Sequence, residues 1–243
     1  MILEIAANSV ASALAAQEVG AGRVELCTAL ELGGLTPSHA QIALAREHLR
    51  IPLYVLIRPR AGDFLYSDIE CEVMLRDIEA CVALGCDGVV FGALDADGEV
   101  DRPRCRALVS AAGNLGVTFH RAFDLTRDPL SSLGDLIELG CERVLTSGGQ
   151  PTALEGAELI RQLVELSTGR IVVMPGAGVD AGNIGKLQEM TGANEFHASA
   201  KRQHSSGMRW QPSLLTDMQG GEWRSDVEQI RGILVALNDA GRG

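Results

Sequence analysis

The chain has 243 residues, of which 46% are hydrophobic and 22% charged, an ordinary globular composition with length for one large core. Its 21 Lys and Arg against 32 Asp and Glu leave a formal net charge of -11, which repels phosphate backbones and anionic surfaces and excludes nucleic acid as an expected partner. No apolar run approaches the roughly 20 residues that cross a bilayer, and Met1-Ile2-Leu3-Glu4-Ile5 lacks the features of a signal peptide, so the expectation is a cytoplasmic protein without a membrane partner.

Eight short apolar runs predict strands in chain order: Ile2–Ile5, Arg23–Cys27, Leu53–Arg58, Gly88–Gly92, Val117–Arg121, Arg143–Ser147, Arg170–Met174 and Glu195–Ser199. Each is followed by a segment of helical periodicity. Thr36-Pro37-Ser38 and Asp101-Arg102-Pro103 supply helix starts, and Gly20, Gly85, Gly113 and Gly140 supply stops. Eight strand-helix units in about 250 residues predict a single-domain α/β protein over 1–243, a (β/α)8 TIM barrel. An open dinucleotide-binding sheet is disfavoured, because Ala6-Ala7-Asn8-Ser9-Val10-Ala11 stands where G-x-G-x-x-G would follow the first strand. One irregularity is the connection 201–224 between the eighth strand and the last helix, which reads as a long loop holding Trp210 and Trp223.

The cysteines Cys27, Cys71, Cys81, Cys86, Cys105 and Cys141 form no C-x-x-C pair and no zinc-ligand spacing, and are expected as reduced thiols. Side chains alternate along a barrel strand between lumen and helix layer, which sorts the polar residues. Val24 and Leu26 make one face of the second strand, leaving Glu25 and Cys27 for the lumen. Phe196 and Ala198 oppose Glu195, His197 and Ser199, and His120 falls on the lumen side if Val117 and Phe119 face the helices. Buried unpaired, such groups cost several kcal/mol each, roughly, so they are paired or they line a working mouth.

Glu25 reads either as a functional carboxylate or as a partner of Arg58 or Arg60, and Glu195, at its strand's entry, as structural. His120, within Phe119-His120-Arg121-Ala122-Phe123-Asp124, is the leading general acid-base candidate because an imidazole exchanges protons near neutral pH. His39, His48 and His204 read as surface residues. Arg58 and Arg60 on a proline-stiffened loop suit an anion, and the glycine-containing turns at Ser147, Gly176, Gly178 and Ser199 sit where barrels of this kind often hold phosphate.

Glu25-Leu26-Cys27, Gly33-Gly34-Leu35-Thr36-Pro37-Ser38, Ile57-Arg58-Pro59-Arg60, Asp63-Phe64-Leu65-Tyr66-Ser67, Val90-Phe91-Gly92-Ala93-Leu94, Thr118 to Asp124, Arg143 to Gly149, Met174 to Gly178 and Glu195-Phe196-His197 together resemble the CutC family of copper homeostasis proteins. The resemblance spans about four-fifths of the chain; the stretch after Lys201 is less distinctive. It implies a cytoplasmic (β/α)8 barrel, a homo-oligomer and a connection with copper. Two functions stay open. In one, Cys27 binds Cu(I) with an unidentified partner, although Cu(I) prefers two or more soft ligands and Cys27 alone is placed at the mouth. In the other, an enzyme performs lyase- or isomerase-type chemistry on a small anionic or phosphorylated metabolite. Glu25 and His120 share the proton work, Asp124 orients, and Arg58, Arg60, Arg121, Ser147, Gly176, Gly178, His197 and Ser199 hold the anion. A variant places a divalent metal on Glu25, His120 and His197. No organic cofactor is implied.

Overall fold

The computed structural model describes residues 1–210 and 220–241. Eight parallel strands run β1 (Ile2–Ala7), β2 (Arg23–Leu26), β3 (Leu53–Leu56), β4 (Gly88–Phe91), β5 (Gly116–Phe119), β6 (Arg143–Thr146), β7 (Val172–Pro175) and β8 (Glu195–Ala198). Helices α1 (Val10–Glu18), α2 (His39–His48), α3 (Asp68–Ala83), α4 (Arg102–Ala112), α5 (Pro129–Leu139), α6 (Ala157–Ser167), α7 (Ile184–Thr191) and α8 (Val227–Ala240) form the outer ring. The strands hydrogen-bond in the order β7-β6-β5-β4-β3-β2-β1-β8, with β7 lying beside β8 to make a nearly closed (β/α)8 barrel. Strands β2 to β6 and β8 stop one or two residues short of their predicted ends, because Cys27, Arg58, His120, Ser147 and Ser199 already belong to the turns at the mouth.

Local chemistry explains the helix starts. Ser38 and Ser67 each accept from the backbone N–H three residues on, while Gln41 and Glu70 reach back to the cap, completing two capping boxes. Pro37 therefore precedes α2 and does not occupy its first turn. Asp101 and Asp128 cap α4 and α5, each with a proline in the first turn.

The connection predicted as a loop over 201–224 contains an antiparallel ribbon. Lys201–His204 (β9) pairs with Glu222–Ser225 (β10), Arg202 opposite Arg224. The period-two pattern of Lys-Arg-Gln-His carries no apolar face, so alternation gave no strand signal there. Ser225 fastens the ribbon to the barrel, its amide donating to Ser12 Oγ at 3.1 Å and its hydroxyl to the Ala6 carbonyl at 3.2 Å. Trp210 is exposed, Trp223 stacks under the Lys201 ammonium, and 211–219 lie outside the described residues.

Most of the apolar core lies between sheet and helices, with Leu3, Ile5, Val24, Leu26, Phe91 and Phe196 among its members. The lumen holds a small separate cluster of Cys27, Tyr54, Leu56 and Val90. Its lower half is ionic. Glu4 pairs with Arg23; Glu195 Oε2 accepts from Arg23 at 2.7 Å and from Arg143 at 2.6 Å; and the Tyr54 hydroxyl bonds Glu142. Tyr54 lies flat across this floor only because its neighbours are glycines: a Cβ on Gly88 or Gly116 would meet the Tyr54 side chain at 2.1 Å. The wide aromatic ring and the guanidiniums of Arg23 and Arg143 stacked against it close the barrel from below.

Candidate functional site

Above that floor, the lumenal ends of β1, β2, β5 and β8 converge on a cavity of about 100 Å³. Glu25, Cys27, Arg58, His120, Arg121 and His197 all line it, with Phe64 and Leu30 as apolar wall. Strand alternation thus placed Glu25, Cys27, His120 and His197 on one surface, although the chain separates Glu25 from His197 by most of its length.

Glu25 is buried, and its Oε2 has no hydrogen-bond partner. Burial, opposed by the nearby charge of His197 and reinforced by that of Glu4, raises its carboxyl to about 7. The His197 Nδ1 stands 3.5 Å from Glu25 Oε2. That nitrogen lies nearer to Glu4, whose Oε1 accepts from it at 2.7 Å. Burial opposes charge on His197, but Glu25 and Glu4 outweigh it and raise its pKa. Glu4 itself would be raised by burial, yet Arg23 and His197 hold its carboxyl down near 2. The result is an ionised acid beneath an imidazole whose charged form its carboxylate neighbours favour, with a second carboxyl, raised to about 7, beside both.

His120 behaves otherwise than its sequence context predicts. Its Nδ1 accepts the Ala122 amide at 3.2 Å, so the neutral ring carries its proton on Nε2, a buried atom with no partner. Burial, with the Arg58 charge adding to it, lowers the pKa to about 3. The expectation that His120 exchanges protons near neutral pH is corrected: it is a fixed neutral N–H donor.

The arginines divide. Arg58 is buried, and its guanidinium donates to the carbonyls of Leu32, Gly34 and Gly62 at 2.9, 3.0 and 2.9 Å while stacking on Phe64. It braces two loops and leaves only its Nε unpartnered. Arg60 does not reach the mouth: it bonds Glu70, Asp63 and the Leu65 carbonyl, and stacks on Tyr66. Its predicted place with Arg58 across the opening is therefore corrected, Glu70 and Asp63 having drawn it outward. Arg121 remains at the cavity, anchored to Asp124 at 2.8 Å and to Ser147 Oγ at 2.9 Å.

Asp124 and Ser147 lie behind the wall. The Asp124 carboxylate takes the Ser147 amide at 2.9 Å, the Gly149 amide at 3.2 Å and the Thr146 hydroxyl, while the Ser147 hydroxyl sits 2.6 Å from the Gln150 carbonyl. These groups hold the turn after β6 against the Arg121 turn; neither lines the cavity. Gly176 packs beneath His197, where a Cβ would stand 2.5 Å from Leu145. Gly178 and Ser199 line an adjoining chamber of about 230 Å³ that shares Ala6, Leu30, Arg121 and His197 with the first.

Cys27 lines the lumen as the parity argument expects, but burial and the charges of Glu25 and Glu31 push its thiol well above the usual range. A metal-binding cysteine must ionise, and Cu(I) wants a second soft donor. Among the described residues lining the cavity no second sulfur appears, and Met174 lies lower, against Arg23. The residues present do not fit a Cu(I) site here. Among the described residues, Glu4, Glu25 and His197 are the one group of potential metal ligands, all donor atoms within 4.8 Å. His120 does not belong to it. Glu4 is already committed there to Arg23 and to the His197 Nδ1 proton.

Glu4, Arg23 and Arg143 are the site residues that the motif reading passed over. The alternation that selected Glu25 would also have selected Glu4, flanked by the core-facing Leu3 and Ile5.

A model of the CutC family matches residues 1–202. A CutC family protein of Xylella fastidiosa is 58% identical over 236 residues, covering 97% of this chain and 88% of that protein. A mouse protein named as a copper homeostasis protein cutC homolog is 50% identical over 214 residues, covering 88% of this chain and 79% of its own. The crystal structure of a putative copper homeostasis protein CutC from Streptococcus agalactiae superposes with a TM-score of 0.79 at 33% identity, covering 82% of this chain and 98% of that one. A thiamine phosphate pyrophosphorylase from Pyrococcus furiosus shares the fold, with a TM-score of 0.62 at 14% identity over 98% and 96% of the two chains.

Proposed function

The chain belongs to the CutC family, and for it we propose an enzyme that moves protons on a small anionic metabolite inside the barrel mouth. One observation carries this reading: the unpartnered Glu25 Oε2, on a carboxyl raised to about 7, shares a cavity of about 100 Å³ with the unpartnered His120 Nε2. A base works best when its pKa lies near the working pH, and a buried carboxylate without hydrogen bonds is a strong one. A neutral imidazole N–H facing the same space is suited to a carbonyl oxygen on which negative charge develops, because it donates without surrendering its proton.

The reaction class is proton abstraction from carbon beside a carbonyl. Glu25 takes the proton, and His120 Nε2–H bonds the carbonyl oxygen as it becomes an enolate. The protonated carboxyl of Glu25 then returns the proton to the same carbon as the enolate collapses back to the carbonyl. His197, whose charged form Glu4 favours, lies next to Glu25 and lowers the cost of ionising it, while the charge of Glu4 acts in the opposite sense. The copper in the mouse relative's name finds no soft-donor set in this cavity, and no step is assigned to it.

The test is solvent deuterium exchange into small phosphorylated ketones and aldehydes, followed by proton NMR. Wild type should exchange at least one substrate in the set, and Glu25→Gln should lose about 10²- to 10⁴-fold in rate. Exchange that survives in Glu25→Gln would remove Glu25 as the base and the reading with it.

A further inference from the structure

We infer that the adjoining chamber is a phosphate subsite, so that the substrate is a phosphate monoester whose reacting carbons reach inward to Glu25 and His120; this inference rests on the acid-base reading of the inner cavity. The outer chamber, about 230 Å³, is formed by the turns after β7 and β8, with Ala177, Gly178, Val179, Ser199 and Lys201 along its wall. It adjoins the inner cavity across Ala6, Leu30, Arg121 and His197, which line both. A molecule that occupies the two is bent over this shared sill, with one end above Glu25 and the other between the turns.

The outer wall offers backbone donors. The backbone N–H groups of Ala177, Gly178, Val179, Ser199 and Ala200 donate to no acceptor among the described residues. They are left over where β7 and β8 lie side by side without a hydrogen-bonded ladder, the one such seam among the described strands of the barrel. Elsewhere around the mouth the corresponding amides are spent: Cys27 on Ala7, Ile57 on Val90, His120 on Phe91 and Gly176 on Thr146. Val179 is buried and Ala177 and Ser199 are half-buried along this wall, and such amides without acceptors are rare in folded proteins and ask for a partner; Gly178 is exposed and Ala200 lies just outside the lining. Two cations flank them. Arg121 is tied through Nε and one terminal nitrogen to Asp124 and Ser147, leaving the second terminal nitrogen without a partner among the described residues. Lys201 forms no ion pair among the described residues and rests on Trp223. Among the described residues no carboxylate lines this chamber, in a chain whose net charge is -11.

The backbone is strained at the same place. Four described residues other than glycine have positive φ, and three of them, Ala29 at 48°, Ala177 at 79° and Ala200 at 44°, stand in the turns around the two chambers. A left-handed alanine is unfavourable and persists where the surroundings impose it, and such positions gather at ligand sites. A carboxylate would find the same cations, but a phosphate's three terminal oxygens match a wall of several convergent N–H donors together with two positive charges.

The test uses inorganic phosphate as probe, titrated by calorimetry at constant ionic strength into wild type, Lys201→Ala, Ser199→Asp and Glu25→Gln. Lys201 is exposed at the start of β9 and Ser199 is half-buried, so both substitutions are compatible with folding, which far-ultraviolet circular dichroism verifies. The expected result is one-to-one binding to wild type, equal binding to Glu25→Gln, and a loss of about tenfold or more in Lys201→Ala and Ser199→Asp, the size of one charge-assisted hydrogen bond. No saturable binding to wild type, or unchanged binding to both outer-chamber variants, would overturn the subsite. So would loss of binding in Glu25→Gln, which would put the anion in the inner cavity. Failure of deuterium exchange with phosphate binding intact would overturn the acid-base reading and leave the anion site standing.

Discussion

The His197 Nδ1 donates to Glu4 Oε1 at 2.7 Å, joining two residues 193 positions apart on the paired strands β1 and β8. The contact converts strand pairing into electrostatics. Glu4 is held ionised by Arg23 below and His197 above, and its folded carboxyl, near 2, lies beneath the usual 4.5. A group depressed in this way stabilises the fold above its unfolded pKa and loses that contribution as acid titrates it. Glu4→Gln should therefore cost about 3–5 kcal/mol at pH 7, because Arg23 and His197 lose their buried counter-charge. The deficit should narrow as pH falls from 4.5 toward 2. Urea unfolding across pH measures it, and a cost below about 1 kcal/mol at neutrality would mean that the pair is not held as described.

Glu25 has the opposite sign. Its folded pKa of about 7 exceeds the unfolded value of 4.5, so its neutral form favours the fold at low pH and that advantage is lost as pH rises toward and through 7. Glu25→Gln should melt above wild type at pH 8, with the two curves converging below about pH 5, where wild type is already neutral. Equal melting temperatures at pH 8 would argue that Glu25 ionises without penalty.

For His120 the measurable quantity is charge itself. With Nδ1 accepting from Ala122 and the pKa near 3, its Cε1–H resonance should not move between about pH 5 and 8, the range where an ordinary histidine titrates. A titration of His120 with a midpoint near 6.5 would contradict the neutral donor role.

Arg58→Ala should act on stability before it acts on any ligand. Three backbone carbonyls, of Leu32, Gly34 and Gly62, lose a charged donor at once, at a cost of about 3 kcal/mol or more. The melting temperature in the absence of phosphate should fall, and a variant as stable as wild type would show that these loops do not depend on the guanidinium.

Cu(I) competition against a calibrated chelator, under anaerobic reducing conditions, should give the same result for wild type and Cys27→Ser. The high thiol pKa and the lack of a second sulfur lining the cavity both predict this. Tight one-to-one binding lost in the variant would restore a copper site at Cys27.

Period-two alternation was enough to bring Glu25, Cys27, His120 and His197 into the lumen, because a one-residue shift would have driven Leu26 or Phe196 there instead. Proton chemistry was not legible in the same way. The state of His120 depends on the Ala122 amide and the Arg58 charge, and the destination of Arg60 depends on Glu70 ten residues onward; neither follows from residue type or strand parity. The ribbon β9–β10 escaped for a third reason. Its strands are exposed on most positions, and Lys-Arg-Gln-His leaves β9 without an apolar face.

The ionic floor of Tyr54, Arg23, Arg143, Glu4 and Glu195 has a kinetic corollary. It closes the lower end of the lumen, so that under the proposed reading the mouth serves for entry and exit alike. Whatever enters must displace its water back past itself, and whatever forms must depart by the route of arrival before a successor can load. Under the acid-base reading, the turns around the mouth, with Ala29, Ala177 and Ala200 in the left-handed conformation, would stand along that route.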